Sequence, residues 1–186
     1  RNVLRIVKPG GCIYIGDVKS FSLLEAFHAD NELARSADTV PAAELRNCIM
    51  TRVLHEEELY VDPVFFRGLR NEMPSISHVA LRHRQGRLIN MTTQFHYDVL
   101  IYAGEHAVRT VRPSWIDWSS AGLSLAGIHE QLENKSPDVY CIKNIPNART
   151  YRAVQAVKIL NGAILPATAG DIKKSLDTLP AGVDPE

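Results

Sequence analysis

Three polar residues follow directly on an apolar run near the start of the sequence. Residues 12–16 read CIYIG, which predicts a strand covered on both faces, and Asp17, Lys19 and Ser20 come next. In open α/β sheets, ligands bind beyond the carboxyl ends of the parallel strands, so we expect these side chains at a ligand-binding edge. Asp17 either faces the ligand, or shapes its pocket, or is a loop carboxylate bonded to nearby backbone amides.

Three consecutive glutamates, at positions 56–58, offer carboxylates for acid–base chemistry. We expect them on a helix, where neighbours are about 100° apart and cannot all face one site. Arg52 can pair with Glu56 one turn on. Glu57 is the candidate that faces a pocket, and the alternative is that it is solvated like its neighbours.

The seven histidines form no metal-binding pattern. His78 and His83 are five residues apart and would point to opposite faces of a strand. The run HEEEL at residues 55–59 lacks the second histidine of H-E-x-x-H. His28 is the one histidine that we retain as a candidate catalytic residue, and we expect no metal.

The composition is that of a soluble globular protein. The chain is 45% hydrophobic and 23% charged, and 21 basic residues balance 21 acidic ones, which argues against nucleic acid and anionic membranes as partners. No apolar run spans a bilayer and no signal peptide is visible, so we expect a cytoplasmic protein. The cysteines predict buried thiols of a reducing compartment: Cys12, Cys48 and Cys141.

Helical and strand patterns alternate along the chain, which indicates an α/β fold. Strands are predicted over residues 12–16, 78–83, 94–102 and 139–142, the second and third as an antiparallel pair. Helices are predicted from Ser22, after Pro41, after Asp62-Pro63, over residues 123–132, from Asn147 and over residues 171–179. The uncapped apolar stripe after Arg1 and the cap-like Asp184-Pro185 lead us to expect a fragment of a longer protein.

The start of the chain resembles a known enzyme family. The run Val7-Lys8-Pro9-Gly10-Gly11 before an apolar strand is similar to the turn that precedes the fifth strand of class I S-adenosylmethionine-dependent methyltransferases. Further spaced matches resemble the methyltransferase domains of nonribosomal peptide synthetases, over about residues 1–160: GDVKS at 16–20, LLEAFH at 23–28, EEEL at 56–59, DPVFF at 62–66, Asn90, YDV at 97–99 and IPNAR at 145–149.

The resemblance implies the C-terminal part of a Rossmann-like methyltransferase sheet, its last strands including an antiparallel edge strand, with a helical insertion and a small α/β extension. The implied domains are the C-terminal half of the methyltransferase domain over residues 1–104 and an extension or linker over 105–186. S-adenosylmethionine is the implied cofactor. The family binds this cofactor with a Gly-rich turn and with an acidic residue that holds the ribose hydroxyls. This sequence contains no G-x-G, so both features would lie upstream of Arg1. We therefore expect no cofactor-binding residue in this chain.

The resemblance also assigns roles to residues. Asp17, Glu57 and His28 become candidate catalytic residues, and Lys19, Ser20, Asn90 and Tyr97 become candidate substrate-binding residues. Asn90 and Tyr97 match family positions in the last two strands, although Tyr97 could equally be a core aromatic with its hydroxyl satisfied.

The implied reaction is methylation, most simply N-methylation, of an aminoacyl thioester. The implied partners are the adenylation and carrier-protein domains of the same synthetase. Two alternatives stay open: a C- or O-methylating tailoring domain, and a non-catalytic structural or docking module of a synthetase.

Overall fold

A mixed four-stranded sheet forms the first part of the chain. The computed structural model describes residues 2–104, 114–135 and 137–185. The sheet order is β2-β1-β4-β3, with β1 parallel to β2 and β4 antiparallel to both β1 and β3. In chain order the strands are β1 (Cys12–Ser20), β2 (Tyr60–Val61), β3 (Ile76–His83) and β4 (His96–Ala103).

The antiparallel pairing of β3 and β4 is confirmed, but the expectation of an antiparallel edge strand is wrong. β4 lies between β1 and β3, and Val99 pairs with Ile15 on one side and Leu81 on the other. Alternate residues of β4 are buried, as a central strand requires, and Tyr97 and Ile101 join the core on one face. The mixed α/β class is thus observed, with the antiparallel strand inside the described sheet.

The expectation that β1 is covered on both faces is also wrong for the described residues. Ile13 and Ile15 pack into the core, whereas Cys12 and Tyr14 on the opposite face are exposed. Helix α3 (Pro63–Glu72) covers only the first of these faces, through Phe66. The prediction that the three cysteines are buried is also wrong, because Cys12 is exposed and Cys48 and Cys141 are half-buried.

The Pro-Gly-Gly turn before β1 is fixed against the end of β4. The amide of Gly10 donates to the carbonyl of Ala103 at 2.8 Å, and the amide of Ala103 donates back to Gly11 at 2.9 Å. Gly10 has a φ of +81°, which favours glycine. A Cβ at Gly104 would lie 2.9 Å from the nitrogen of Gly10, so the close approach also needs glycine there.

Seven helices are described. The helices predicted after Ser22, Pro41 and Asp62-Pro63 are confirmed; a 3₁₀ turn over Phe21–Leu23 precedes the first, and the Asp62 side chain accepts from the amide of Val64 at 2.8 Å. Besides α3, the helices are α1 (Leu24–Arg35), α2 (Ala42–Leu54), α4 (Met91–Phe95), α5 (Leu125–Lys135), α6 (Tyr151–Leu160) and α7 (Ala169–Asp177). Helix α6 begins later than an Asn147 cap would place it.

Four of these helices share one core. Leu45 and Ile49 from α2 lie in a buried cluster with Leu160 from α6 and with Ile172 and Leu176 from α7. Helix α1 contributes to the same cluster and packs along both α2 and α6. Elements on both sides of residue 104 therefore build this helical core, and the division of the chain into residues 1–104 and 105–186 stays a prediction.

A second, smaller sheet lies in the later part of the chain. Its strands, β5 (Trp115–Asp117) and β6 (Cys141–Lys143), are parallel and are joined through α5. The strand predicted over residues 139–142 is thus found two residues further on. Residues 105–113, between β4 and β5, lie outside the described residues.

Candidate functional site

A cavity of about 370 Å³ opens where β1 and β3 end and β4 begins. We call it the edge pocket. It lies at the carboxyl ends of two strands that run in the same direction, where the sequence predicted a ligand-binding edge. Its lining comes from these strands, from α3 and from the segment before α6: Ser20, Ser22, Leu23, Pro63, Arg67, Leu81, Arg82, His83, His96, Tyr97, Asn147 and Thr150.

Asp17 lies beside the edge pocket at an irregularity of β1. The pairing register with β4 shifts between Ile15 and Val18, and Asp17 adopts a φ of +63°. Aspartate tolerates this left-handed conformation better than most residues because its short side chain bonds locally. The bulge turns the Asp17 carboxylate toward β4.

The Asp17 carboxylate bonds to a histidine of the pocket wall. Its Oδ1 lies 2.8 Å from Nδ1 of His96, whose side chain is 8% exposed. An ionised carboxylate only accepts hydrogen bonds, so Nδ1 donates and the ring is held in one orientation. Among the described residues, no hydrogen bond involves the other ring nitrogen, Nε2, and His96 lines the edge pocket. A carboxylate-oriented histidine of this kind can receive a proton from a bound group.

A second carboxylate holds the bulge in place. Asp98 accepts the backbone amide of Asp17 at 2.9 Å and the guanidinium of Arg84 at 3.1 and 3.3 Å. Arg84 also donates to the hydroxyl of Tyr14 at 3.1 Å. Burial by itself would raise the pKa of Asp98, but the hydrogen bonds from Asp17, Tyr14 and Arg84 and the charge of Arg84 outweigh it and lower that pKa.

His83, the last residue of β3, also lines the edge pocket. The side-chain amide of Asn147 donates to its Nε2 at 3.3 Å when the ring is neutral. Desolvation and, next, the positive charge of Arg149 lower the pKa of His83, which favours that neutral form. The pocket thus holds two histidines, one beside a carboxylate and one beside an arginine.

Two of the predicted substrate-binding residues line the edge pocket, but both are already bonded within the protein. Ser20 is buried and shares a hydrogen bond of 3.0 Å with Ser22. The hydroxyl of Tyr97 donates to the carbonyl of Val61 at 2.9 Å. Burial and, next, the charge of Asp62 raise the pKa of Tyr97 to about 12. Tyr97 is therefore a core aromatic with a satisfied hydroxyl, the alternative that the sequence left open.

The prediction that the three glutamates are helical is wrong. Helix α2 ends at Leu54, so residues 56–58 lie in the segment that leads to β2. Glu57 is exposed there, whereas Glu58 forms an ion pair with Lys19. The Lys19 ammonium also lies 5.3 Å from the ring centre of Tyr60. Lys19 thus ties this segment to β1.

His28 bonds to Glu56, the neighbour of the predicted Glu57. Its Nε2 lies 3.0 Å from Oε2 of Glu56, and both side chains are largely buried. Arg52, which was expected to pair with Glu56, lies 3.4 Å from Glu32 on α1 instead. Within the described residues, no hydrogen bond or ion pair joins Asp17 to His28 or Glu57. The three predicted catalytic residues are therefore not one directly bonded group.

Asn90 does not lie in a strand as its family match implied. It precedes α4, and its side-chain oxygen accepts the amide of Thr93 at 3.0 Å. The hydroxyl of Thr93 accepts the amide of Asn90 in return at 3.0 Å, which completes a capping box. A role of Asn90 in substrate binding stays a prediction, and its observed bond is a helix cap.

Sequence reasoning missed His96 as a functional candidate. Side chains alternate between the two faces of a strand, so His96 and Asp98 share the face opposite Tyr97, and this pattern is the signal that could have identified them. Their contacts with Asp17 depend on the pairing of β1 with β4, which the local sequence does not encode.

Neither a membrane helix nor a metal centre is found in the described part of the chain. None of its helices is long and apolar enough to cross a bilayer. Its histidines, cysteines and carboxylates likewise form no group of three or more that could hold a metal ion.

The chain is homologous to nonribosomal peptide synthetases over most of its length. It is 35% identical over 150 residues to chondramide synthase cmdD of Chondromyces crocatus, a match that covers 78% of this chain and 4% of that protein. It is 29% identical over 175 residues to nonribosomal peptide synthetase penN of Penicillium thymicola, which covers 89% of this chain and 6% of that protein. The chain thus spans a small part of the curated relatives it matches. No protein-family model matches it.

Proposed function

We propose that this chain is the acceptor side of an S-adenosylmethionine-dependent methyltransferase domain of a nonribosomal peptide synthetase. In this proposal it binds an aminoacyl thioester presented by a carrier-protein domain and directs methylation to the amine. The homology to synthetases supports the context. The observation that carries the chemistry is the Asp17–His96 pair beside the edge pocket.

The geometry of His96 supports a role as the base. An amine bound in the edge pocket must lose a proton once its nitrogen has formed a fourth bond. In this proposal the proton goes to Nε2 of His96, a pocket-lining residue whose Nε2 takes part in no hydrogen bond found among the described residues. Asp17 keeps the ring oriented and stabilises the imidazolium that forms. The free α-amino group has a pKa near 7.7–8.0, so a base of modest strength is sufficient.

The proposal assigns no residue of this chain to cofactor binding. S-adenosylmethionine would supply an activated methyl group, but the Gly-rich turn that the family uses to approach it is not in this sequence. The proposal therefore concerns the groups that bind and deprotonate the acceptor.

The test uses the complete protein, S-adenosylmethionine and a panel of carrier-bound aminoacyl groups, with methylation read by mass spectrometry. We expect His96→Gln to lower the methylation rate by about a hundredfold or more, the loss typical of a general base. His78→Gln is the matched control, because His78 is an exposed histidine of β3 outside the edge pocket.

Two results separate the parts of the proposal. If the unchanged protein methylates no aminoacyl group, the methyltransferase assignment is wrong. If it methylates and His96→Gln is as fast as His78→Gln, the assignment of His96 as the base is wrong.

A further inference from the structure

Two neighbouring cavities share a wall of cationic side chains. Besides the edge pocket, a cavity of about 230 Å³ is lined by Arg82, His83, Arg84, Gln85, Arg149 and Pro185. Arg82 and His83 belong to both linings, so the two cavities adjoin. We call the second one the arginine cavity. Neither lining contains an aspartate or a glutamate, although four different arginines contribute.

Two of the four arginines are neutralised by carboxylates nearby. Arg84 pairs with Asp98 at 3.1 Å, and Arg149 pairs with Asp184 at 3.2 Å. The side chains of Arg67 and Arg82 take part in none of the ion pairs or hydrogen bonds found among the described residues, and both residues are exposed. The walls of the edge pocket therefore carry two guanidinium groups that form no ion pair with a carboxylate of the described residues.

We propose that Arg67 and Arg82 form a binding site for a phosphate ester at the edge pocket. Guanidinium groups bind phosphate oxygens through two parallel hydrogen bonds, and two of them match the charge of a phosphate dianion. Hydroxyl and amide donors of the same lining, from Ser22, Asn147 and Thr150, can complete the contacts. The site points to an organic ligand with an anionic group near the arginines and its remaining atoms toward His96.

The same phosphate chemistry has two sources: a free phosphate compound, or the phosphate-bearing arm of a carrier-protein domain. The second source rests on the proposed function, while the site itself does not. Binding can be measured without methyl transfer, so a failure of this inference is distinguishable from a failure of the methyltransferase assignment.

The experiment is calorimetric titration of the complete protein with three probes: pantetheine 4′-phosphate, pantetheine and inorganic phosphate. We expect pantetheine 4′-phosphate to bind at least tenfold more tightly than pantetheine, and to bind more weakly as ionic strength rises. Arg67→Gln and Arg82→Gln should each weaken it about tenfold, the effect of losing a charged hydrogen bond of about 1.5 kcal/mol. Arg82→Lys keeps the positive charge but loses the paired donors of the guanidinium, so its affinity for pantetheine 4′-phosphate should lie between those of the unchanged protein and Arg82→Gln.

Arg70→Gln is the matched control. It removes the same charge from the same helix, α3, one turn from Arg67, and Arg70 lines neither cavity. Equal binding of pantetheine and its phosphate, or equal weakening by Arg70→Gln, would overturn the site. Inorganic phosphate binding as tightly as pantetheine 4′-phosphate would support the site and overturn the carrier arm as its source.

Discussion

Asp98 connects a strand bulge, a loop arginine and an exposed tyrosine through one carboxylate. It holds the amide of Asp17, and so it supports the positive φ that directs the Asp17 carboxylate to His96. A residue in this conformation persists only where its surroundings fix it. The orientation of His96 thus depends on a carboxylate that itself does not line the edge pocket.

The first prediction concerns Asp98→Asn. The variant weakens the bonds to Arg84 and Asp17, and we expect the free energy of unfolding at pH 7 to fall by about 1–3 kcal/mol. Because folding lowers the pKa of Asp98, its stabilising contribution is present above the unfolded pKa of about 3.9 and is lost as the pH falls through the folded value. The difference between the two proteins should therefore shrink below about pH 4.

Urea denaturation at pH 7, 5 and 3 measures this difference. Asp177→Asn is the control, because Asp177 forms an exposed pair with Arg152 and should change stability by less than about 1 kcal/mol. A difference that does not vary with pH would contradict the ionised role of Asp98.

At the scale of elements, helix α4 orients the start of β4. It is only five residues long, and β4 begins at His96 immediately after its last residue. A helix this short depends on its cap, since few backbone bonds hold it otherwise. The Asn90–Thr93 capping box is therefore part of what places His96.

The second prediction is that Asn90→Ala lowers the free energy of unfolding by about 0.5–2 kcal/mol, whereas Asn90→Ser, which also caps helices, restores most of it. Thermal denaturation compares the three proteins. If Asn90→Ala leaves stability unchanged but weakens binding of the acceptor, Asn90 acts on the substrate and the cap is incidental.

Local signals predicted several elements correctly. Asp62-Pro63 predicted the start of α3, and the strand predicted over residues 94–102 contains most of β4. The glutamates at 56–58 were misplaced because nothing in the local sequence ends α2 sharply at Leu54. The position of β4 inside the sheet and the Asp17–His96 bond depend on partners about eighty residues apart, which periodicity does not reveal.

For the whole molecule, the helical core is the structure that joins early and late parts of the chain. Ile172 of α7 is fully buried in it, together with Leu45 and Ile49 of α2. Its stability therefore depends on contacts between segments far apart in sequence.

The third prediction is that Ile172→Ala lowers the free energy of unfolding by about 2–5 kcal/mol, through lost burial and the cavity left behind. Ile164→Ala is the matched control, since Ile164 is 91% exposed and its truncation should change stability by no more than about 0.5 kcal/mol. Denaturant titration of both variants measures this contrast. Similar losses in the two variants would mean that α7 is not anchored in the core.

The shared helical core also determines when its helices can pack during translation. Helices α1 and α2 leave the ribosome long before α6 and α7, which complete their apolar packing. At about 5–20 residues per second, the intervening chain takes on the order of ten seconds to synthesise. During that time Leu45 and Ile49 have no native partner from α7, so the nascent chain presents an apolar helix pair that chaperones can hold until translation passes residue 177.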